Sequence, residues 1–175
     1  MAGKKNRHSS LTKATLSEVS LQAIKPSGWI QSWLEKQANG LTGHLEAAGY
    51  PFDTKLWACA SIPFRHGAPW WPYEQTAYWV DGFTRCGLLL DDKELMTKAA
   101  HQINYVLSHA DREGYLGPKS CKKPMPAGRW SHMIFFRAML AWYDSTGDKR
   151  IIKALHKHYT GHAFDYSGHR DVCNI

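Results

Sequence analysis

The chain has 175 residues, of which 43% are hydrophobic and 13% are aromatic. A chain of this length suits one domain with a real core, and the composition excludes a disordered polar protein. The formal net charge is +7. Part of it lies in a short N-terminal run, and elsewhere Lys and Arg are mixed with Asp and Glu. No basic stripe on a folded face is therefore predicted, and a nucleic-acid partner is not expected.

Residues 1–20 are polar and include the basic run Lys4, Lys5, Arg7 and Lys13. They show no apolar periodicity, so a disordered or loosely attached tail is predicted. No apolar run follows the basic start, as a signal peptide requires, and no stretch suits a membrane span. The chain as given is expected to be soluble and cytoplasmic. A periplasmic or secreted full-length protein stays open, because a removed signal peptide would leave this same sequence.

Order is expected to begin near Leu21, and Ser27 is a plausible cap for a first helix. Gly40 is expected to end that helix, and a short helix from Leu41 to Ala48 to follow. The apolar members of the first helix are Trp29, Ile30, Trp33 and Leu34. Residues 49–71 combine Gly, Pro and Trp, which predicts a long aromatic loop of a kind that is often functional.

From residue 72 the apolar spacing predicts four helices. The first runs from Tyr73 to about Leu90, and Asp91 and Asp92 end it and cap the next. Apolar positions along the second helix are Leu95, Ala99, Ile103, Val106, Leu107 and Ala110. A third runs from about Arg129 to Ser145, with Ile134, Phe135, Ala138, Ala141 and Trp142 inward. The fourth carries Ile151, Ile152, Leu155 and Tyr159.

These helices form two units that match each other. Residues 92–95 (DKEL) align with residues 148–151 (DKRI), an offset of 148 minus 92, or 56 residues. Phe83 then falls on Met139. A fixed period of this kind indicates a repeat of helical hairpins. An ordinary helical bundle whose hairpins match by chance is the alternative. No strand-like alternation competes, so the fold class is all-α.

Four cysteines are present, namely Cys59, Cys86, Cys121 and Cys173. They show no CxxC spacing and no His pair at the spacing of zinc ligands, so no metal site can be identified from the sequence. Buried free thiols are the favoured interpretation.

Glu74, Tyr78 and Asp81 share one helix face because they lie at positions i, i+4 and i+7. Trp71 and Gln75 lie beside them. Carboxylates that accept from hydroxyl groups, flanked by aromatic rings, suit a sugar ligand. The alternative is that Glu74 interacts with the helix dipole and Asp81 is solvated.

A second group of candidates lies in the connection after the second helix and at the start of the third. Residues 112–118 present Tyr115 between two glycines, and residues 125–132 bring Trp130 and His132 to a helix start. These segments are expected to meet at one end of the hairpins. A histidine near a helix start is more often structural than catalytic, and this reading of His132 stays open.

Several segments resemble glycoside hydrolase family 127, the β-L-arabinofuranosidase family formerly called DUF1680. The most specific is WPYEQTAYWVDG at residues 71–82. The others are Gly28-Trp29, residues 40–45, 114–118 and 143–148, and Gly168-His169. The resemblance covers about residues 21–175, and it implies the N-terminal part of an (α/α)6 barrel, the six-hairpin glycosidase type. His169 lies at a position that resembles a substrate-contacting histidine of the family. Together with Glu74, Asp81 and their neighbours, it is expected to bind substrate.

Characterised members of that family hydrolyse β-L-arabinofuranosides with retention. Their nucleophile is a cysteine in a zinc site of three Cys and one Glu, and a second Glu is the acid/base. The resemblance places those groups in later hairpins, so no catalytic residue is expected in this chain, and zinc is expected only in a full-length member. The substrate would be an oligosaccharide or glycoside. The Tyr-Glu-Gln stretch departs from the acidic pattern of the characterised enzymes, so the sugar stays open.

A ring of six such hairpins needs about 300 residues or more, so this chain is expected to supply about half. An open half-ring would leave apolar surface exposed, which predicts self-association. Two other functions stay open. One is a different six-hairpin enzyme, such as an unsaturated-glycuronide hydrolase with Glu74 or Asp81 as its acid. The other is a non-catalytic helical domain that binds sugar or protein.

Overall fold

The computed structural model describes residues 19–53, 56–57, 71–122 and 126–161. Across these ranges every regular element is helical, which confirms the all-α prediction. The α-helices are α1 (Gly28–Ala38), α2 (Leu41–His44), α3 (Trp71–Leu90), α4 (Lys93–Ser108), α5 (Pro126–Thr146) and α6 (Lys149–Gly161). Short 3-10 helices span Leu21–Ala23, Leu45–Ala48 and Lys119–Cys121.

Helices α3 and α4 form one hairpin and α5 and α6 form another, joined by turns of the same design. Asp91 and Gly147 occupy equivalent positions with φ of +56° and +71°. Asp92 then caps α4, because its carboxylate accepts hydrogen bonds from the N–H groups of Glu94 and Leu95. Asp148 accepts from the N–H of Arg150 in the same way, at 3.1 Å. The two turns therefore match at the 56-residue offset that the sequence shows.

The core lies between the two hairpins. Phe83 and Met139, which are equivalent in the repeat, are both fully buried. Ala99 and Leu155 are a second equivalent pair in the same core. The remaining buried members include Val80, Ile103, Val106, Ile134, Phe135, Ala138 and Ile151. The inward faces predicted for α4 and α5 are thus confirmed, apart from Leu107 and Trp142, which are partly buried, and Ala110, which is exposed beyond the end of α4.

Helices α3 and α5 lie side by side and run parallel. Tyr78 bonds Trp130 and Asp81 bonds Arg137, so both contacts advance along the two helices in the same direction. This parallel arrangement follows because the two hairpins stack in register. In each hairpin the second helix, α4 or α6, runs back antiparallel to the first. This pair is the central contact of the fold, and it brings together side chains that lie more than fifty residues apart.

Most of the apolar residues of α1 are exposed. On α1, Trp29 is 78% exposed and Trp33 is 53% exposed, and Ile30 is also exposed. Only Leu34 and Ala38 of this helix are buried. The reason is that α1 packs on α3 through the narrow stripe that i and i+4 positions make. Ser27 occupies the cap position but makes no side-chain cap bond.

Helix α6 also buries only a narrow stripe. Its buried residues are Ile151, Leu155 and His158, whereas Ile152 and Tyr159 are exposed. Ile152 follows Ile151 by about 100° around the helix, which turns it away from the core. The inward residue that apolar spacing missed is His158, because an imidazole does not register as apolar.

Within the described ranges, no helix combines the length and apolar character needed to cross a membrane. The tail predicted for residues 1–20 lies almost entirely outside those ranges. Ser20 lies within them, and its hydroxyl is 3.3 Å from the hydroxyl of Ser145 at the end of α5.

Candidate functional site

Along the contact between α3 and α5, two aromatic side chains meet at the surface. The indole N–H of Trp130 donates a hydrogen bond of 2.9 Å to the hydroxyl of Tyr78. Tyr78 is 41% exposed and Trp130 is 38% exposed. The parallel arrangement of the helices places them side by side. The result is a pair of accessible rings held by a polar contact, called here the ring pair.

Glu74 lies one helical turn before Tyr78 and is half-buried. Burial raises the pKa of its carboxyl above the ordinary value, and a hydrogen bond from Trp130 offsets part of that rise. The indole N–H of Trp130 thus lies near Glu74 as well as Tyr78, and its 2.9 Å hydrogen bond is to Tyr78. A carboxyl group with these neighbours can donate or accept a hydrogen bond at the edge of the rings.

Asp81 lies next along α3 and has a structural role. It is 6% exposed. Arg85 Nε reaches one carboxylate oxygen at 2.8 Å, and Arg137 Nη2 reaches the other at 2.9 Å. Asp81 therefore joins α3 to α5, and a ligand would meet the arginines before it met the carboxylate. Glu74 and Asp81 both lie at this contact, and neither is fully exposed.

Sequence reasoning missed both arginines. Arg85 follows Asp81 at i+4, the spacing of an ion pair within a helix. Arg137 follows Asp81 by 56 residues, which is the repeat offset. Those two spacings are the signals that identify them.

Trp71 and Gln75 begin the same helix and are half-buried. The Trp71 ring lies 6.1 Å from the ring of Tyr50, tilted by 36°. Trp71 thus contacts the segment after α2 rather than the ring pair. Its role in binding, and that of Gln75, stays a prediction.

Tyr115 and His132 lie together, but inside the molecule. Tyr115 is 4% exposed and its hydroxyl donates to the carbonyl of Pro118 at 2.9 Å. His132 packs edge-on to Tyr115 and to Trp57, at ring distances of 5.4 and 5.3 Å. The two segments therefore meet at one end, as predicted. Both side chains are buried, so their contact with a ligand stays a prediction.

These two residues belong to a larger group, the buried aromatic cluster. It consists of Trp57, Tyr115, His132, Phe135, Phe136 and His158. Trp57 stacks on Phe135 at 4.1 Å, with 11° between the rings. His158 Nδ1 accepts a hydrogen bond of 3.0 Å from the N–H of Leu116, which requires that nitrogen to be unprotonated. The backbone of Gly117 packs directly against the cluster and leaves no room for a side chain, since a Cβ there would lie 2.5 Å from His132 Nε2.

The described residues do not fit a zinc site. No three or more His, Cys, Asp or Glu side chains within them are grouped so as to hold a metal ion. Cys86 and Cys121 are buried free thiols, as predicted, and burial raises the pKa of Cys86. Cys59, Cys173 and the candidate substrate contact His169 lie outside the described ranges.

Comparisons of the chain with protein-family models, with curated proteins and with solved structures each found no match.

Proposed function

We propose that this chain supplies part of the sugar-binding wall of a six-hairpin glycoside hydrolase similar to family 127. The observation that carries the proposal is the ring pair of Tyr78 and Trp130, with the carboxyl group of Glu74 beside it. Aromatic faces cover the C–H side of a sugar ring, while polar groups at their edges bond its hydroxyls. These residues also belong to, or contact, the segment that carries the family resemblance.

The arrangement of the hairpins supports a toroid. Two hairpins repeat at a fixed offset, and their first helices run parallel and in contact. In an (α/α)6 ring, parallel first helices form the inner wall and the returning helices form the outer one. The ring pair and Glu74 then line the inner wall, where substrate binds.

In this proposal the reaction itself belongs to other hairpins. Retaining hydrolysis requires a nucleophile and an acid/base about 5–5.5 Å apart. The family resemblance assigns both to segments beyond those that match here. We therefore expect the 175-residue chain to bind glycosides without turning them over.

A second function is favoured by the raised pKa of Glu74. A carboxyl group that keeps its proton to higher pH is suited to act as a general acid. An unsaturated-glycuronide hydrolase of the six-hairpin type would use such a group. Asp81 suits that role less, because two guanidinium groups occupy both of its oxygens. Turnover by the isolated chain that is abolished in Glu74→Gln would favour this alternative.

The binding proposal is tested by titrating the chain with neutral oligosaccharides, including β-L-arabinofuranosides, in a calorimeter. Trp130→Ala should lower the affinity about fivefold or more, since stacking of a base on an aromatic side chain contributes roughly 1–3 kcal/mol and a sugar face should gain a similar amount. Trp29→Ala is the matched control, because Trp29 is more exposed but lies on α1. Equal losses in the two variants, or no saturable binding by the unaltered chain, would contradict the proposal.

A further inference from the structure

Beside the ring pair lies a cationic group that a neutral sugar does not need. We propose that the wall formed by α3 and α5 binds acidic oligosaccharides, with Arg137 and Arg85 holding the carboxylate of a uronic acid residue. This inference rests on the proposed function and adds the substrate class. It is carried by the geometry of the two arginines relative to Tyr78 and Trp130.

The net charge around Asp81 favours an anionic ligand. Two guanidinium groups face one carboxylate, that of Asp81, so the local sum is one positive charge. The side chains of Arg85 and Arg137 are 31% and 55% exposed, whereas that of Asp81 is 8% exposed. Solvent, and a ligand, therefore meet the positive groups and not the negative one. A ligand carboxylate would complete the pairing that Asp81 leaves partial.

The two arginines also have N–H donors to spare. A guanidinium group has five N–H donors in one plane. Arg137 gives one nitrogen to Asp81, and Arg85 gives Nε to the same carboxylate and Nη2 to the Arg137 carbonyl at 3.5 Å. Within the described ranges, the Arg137 guanidinium has no other partner. Its remaining donors are available to a planar carboxylate, the group that the guanidinium fork matches.

The arginines and the ring pair occupy matching positions along α3 and α5. Arg85 follows Tyr78 by seven residues, and Arg137 follows Trp130 by seven residues. Seven residues are two turns, so each cation lies on the same face as its ring and about 10 Å further along. Because the helices are parallel, both rings lie at one level and both cations at the next. A ligand that reaches both levels is longer than a single sugar ring, which indicates an oligosaccharide.

The test compares a short oligogalacturonate with a neutral galacto-oligosaccharide of the same length, by calorimetry on the full chain. The unaltered chain should bind the acidic ligand more tightly, and added salt should reduce that preference. Arg137→Gln should lower affinity for the acidic ligand about tenfold, as loss of a charge-assisted bond does, and leave the neutral ligand unchanged. Arg137→Lys, which keeps the charge but not the fork, should show a smaller loss.

Arg150→Gln is the matched control, because Arg150 is an exposed arginine on α6 that pairs with Asp148. It should leave both affinities unchanged. Thermal melting of each variant shows whether the fold is kept. This inference alone would be overturned if the chain bound the neutral ligand as tightly as the acidic one. It would also be overturned if Arg137→Gln lowered the affinity for both ligands equally. Absence of binding by either ligand would overturn the proposed function as well.

Discussion

The ring pair and the buried aromatic cluster are built from similar side chains and differ in where their polar atoms bond. In the cluster, Trp57 donates to the carbonyl of Tyr73, and Tyr115 donates to the carbonyl of Pro118. Those donors are satisfied by buried backbone, so the cluster stabilises the fold. At the ring pair, the indole of Trp130 bonds a hydroxyl that is itself accessible. The same residue types thus serve stability in one place and, in our proposal, recognition in the other.

The carboxyl groups near the two regions differ in the same way. Asp111 accepts a hydrogen bond from the N–H of Tyr115, a member of the cluster. Burial alone would raise the pKa of Asp111, but hydrogen bonds from Lys122 and from the N–H groups of Tyr115 and Glu113 lower it to about 2. Burial raises the pKa of Glu74, and the bond from Trp130 offsets it only in part. The first carboxylate stabilises its surroundings at neutral pH. The second is held at a cost, which is common for groups that serve a ligand.

The largest effect should come from Phe135→Ala in the buried aromatic cluster. The Phe135 ring is fully buried and stacked on Trp57. Its removal leaves a cavity, and we expect a loss of about 3–5 kcal/mol in the free energy of unfolding. Chemical denaturation measures it, with Tyr78→Ala as the control at the ring pair. A loss no larger than that of the control would contradict the assignment of the cluster to stability.

A smaller but still large loss is expected for Gly117→Ala. Gly117 has φ of +126°, and a Cβ there would approach His132 to 2.5 Å and Trp57 to 3.0 Å. Backbone strain and overpacking should together cost about 3 kcal/mol. Gly147→Ala is the matched control, since its φ of +71° is also positive but nothing lies within 4 Å of the added Cβ. Equal melting temperatures for the two variants would contradict this prediction, because they would show that crowding against the cluster does not destabilise Gly117→Ala.

Asp111→Asn should act through pH. Because the pKa of Asp111 is lowered in the folded state, its stabilisation is fully present above the unfolded value of 3.8 and is lost as pH falls toward about 2. The variant should therefore be less stable than the unaltered chain at neutral pH, and the difference should shrink on acidification. Melting temperatures across this range measure it. A difference that grows on acidification would have the wrong sign.

Glu74→Gln should have the smallest effect on stability, and of the opposite sign. A pKa raised in the folded state means that stability is highest below the unfolded value of 4.5 and falls as pH rises through the folded value. The amide removes that loss, so the variant should equal or exceed the unaltered chain at neutral pH. Unfolding free energies from about pH 4 to about pH 7 give the comparison. A marked destabilisation at neutral pH would assign Glu74 to the fold.

What the sequence could predict is the part determined locally. The hairpin turns depend on Asp92, Asp148 and Gly147, residues whose backbone preferences indicate caps and turns without knowledge of distant partners. The same locality explains why α3 and α4 begin and end near the predicted residues. It also explains why Glu74, Tyr78 and Asp81 could be placed on one face.

What the sequence could not predict depends on contacts between distant segments. The exposure of Trp29 and Trp33 follows from how little of α1 the described residues cover, which no local pattern shows. The burial of Tyr115 follows from the approach of α6 and α5 to its loop. Arg137 lies at the site because α3 and α5 pack in parallel, an arrangement that depends on distant contacts.

The division between the two aromatic regions is tested most directly by the indole N–H signals in a heteronuclear NMR titration with an oligosaccharide. Trp130→Phe and Trp57→Phe assign the two relevant signals. We predict that the Trp130 signal shifts and saturates, because its ring and N–H lie at the proposed binding surface. We also predict that the Trp57 signal stays in place, because that N–H is buried against the Tyr73 carbonyl. A Trp130 signal that does not move while the ligand binds would contradict the account.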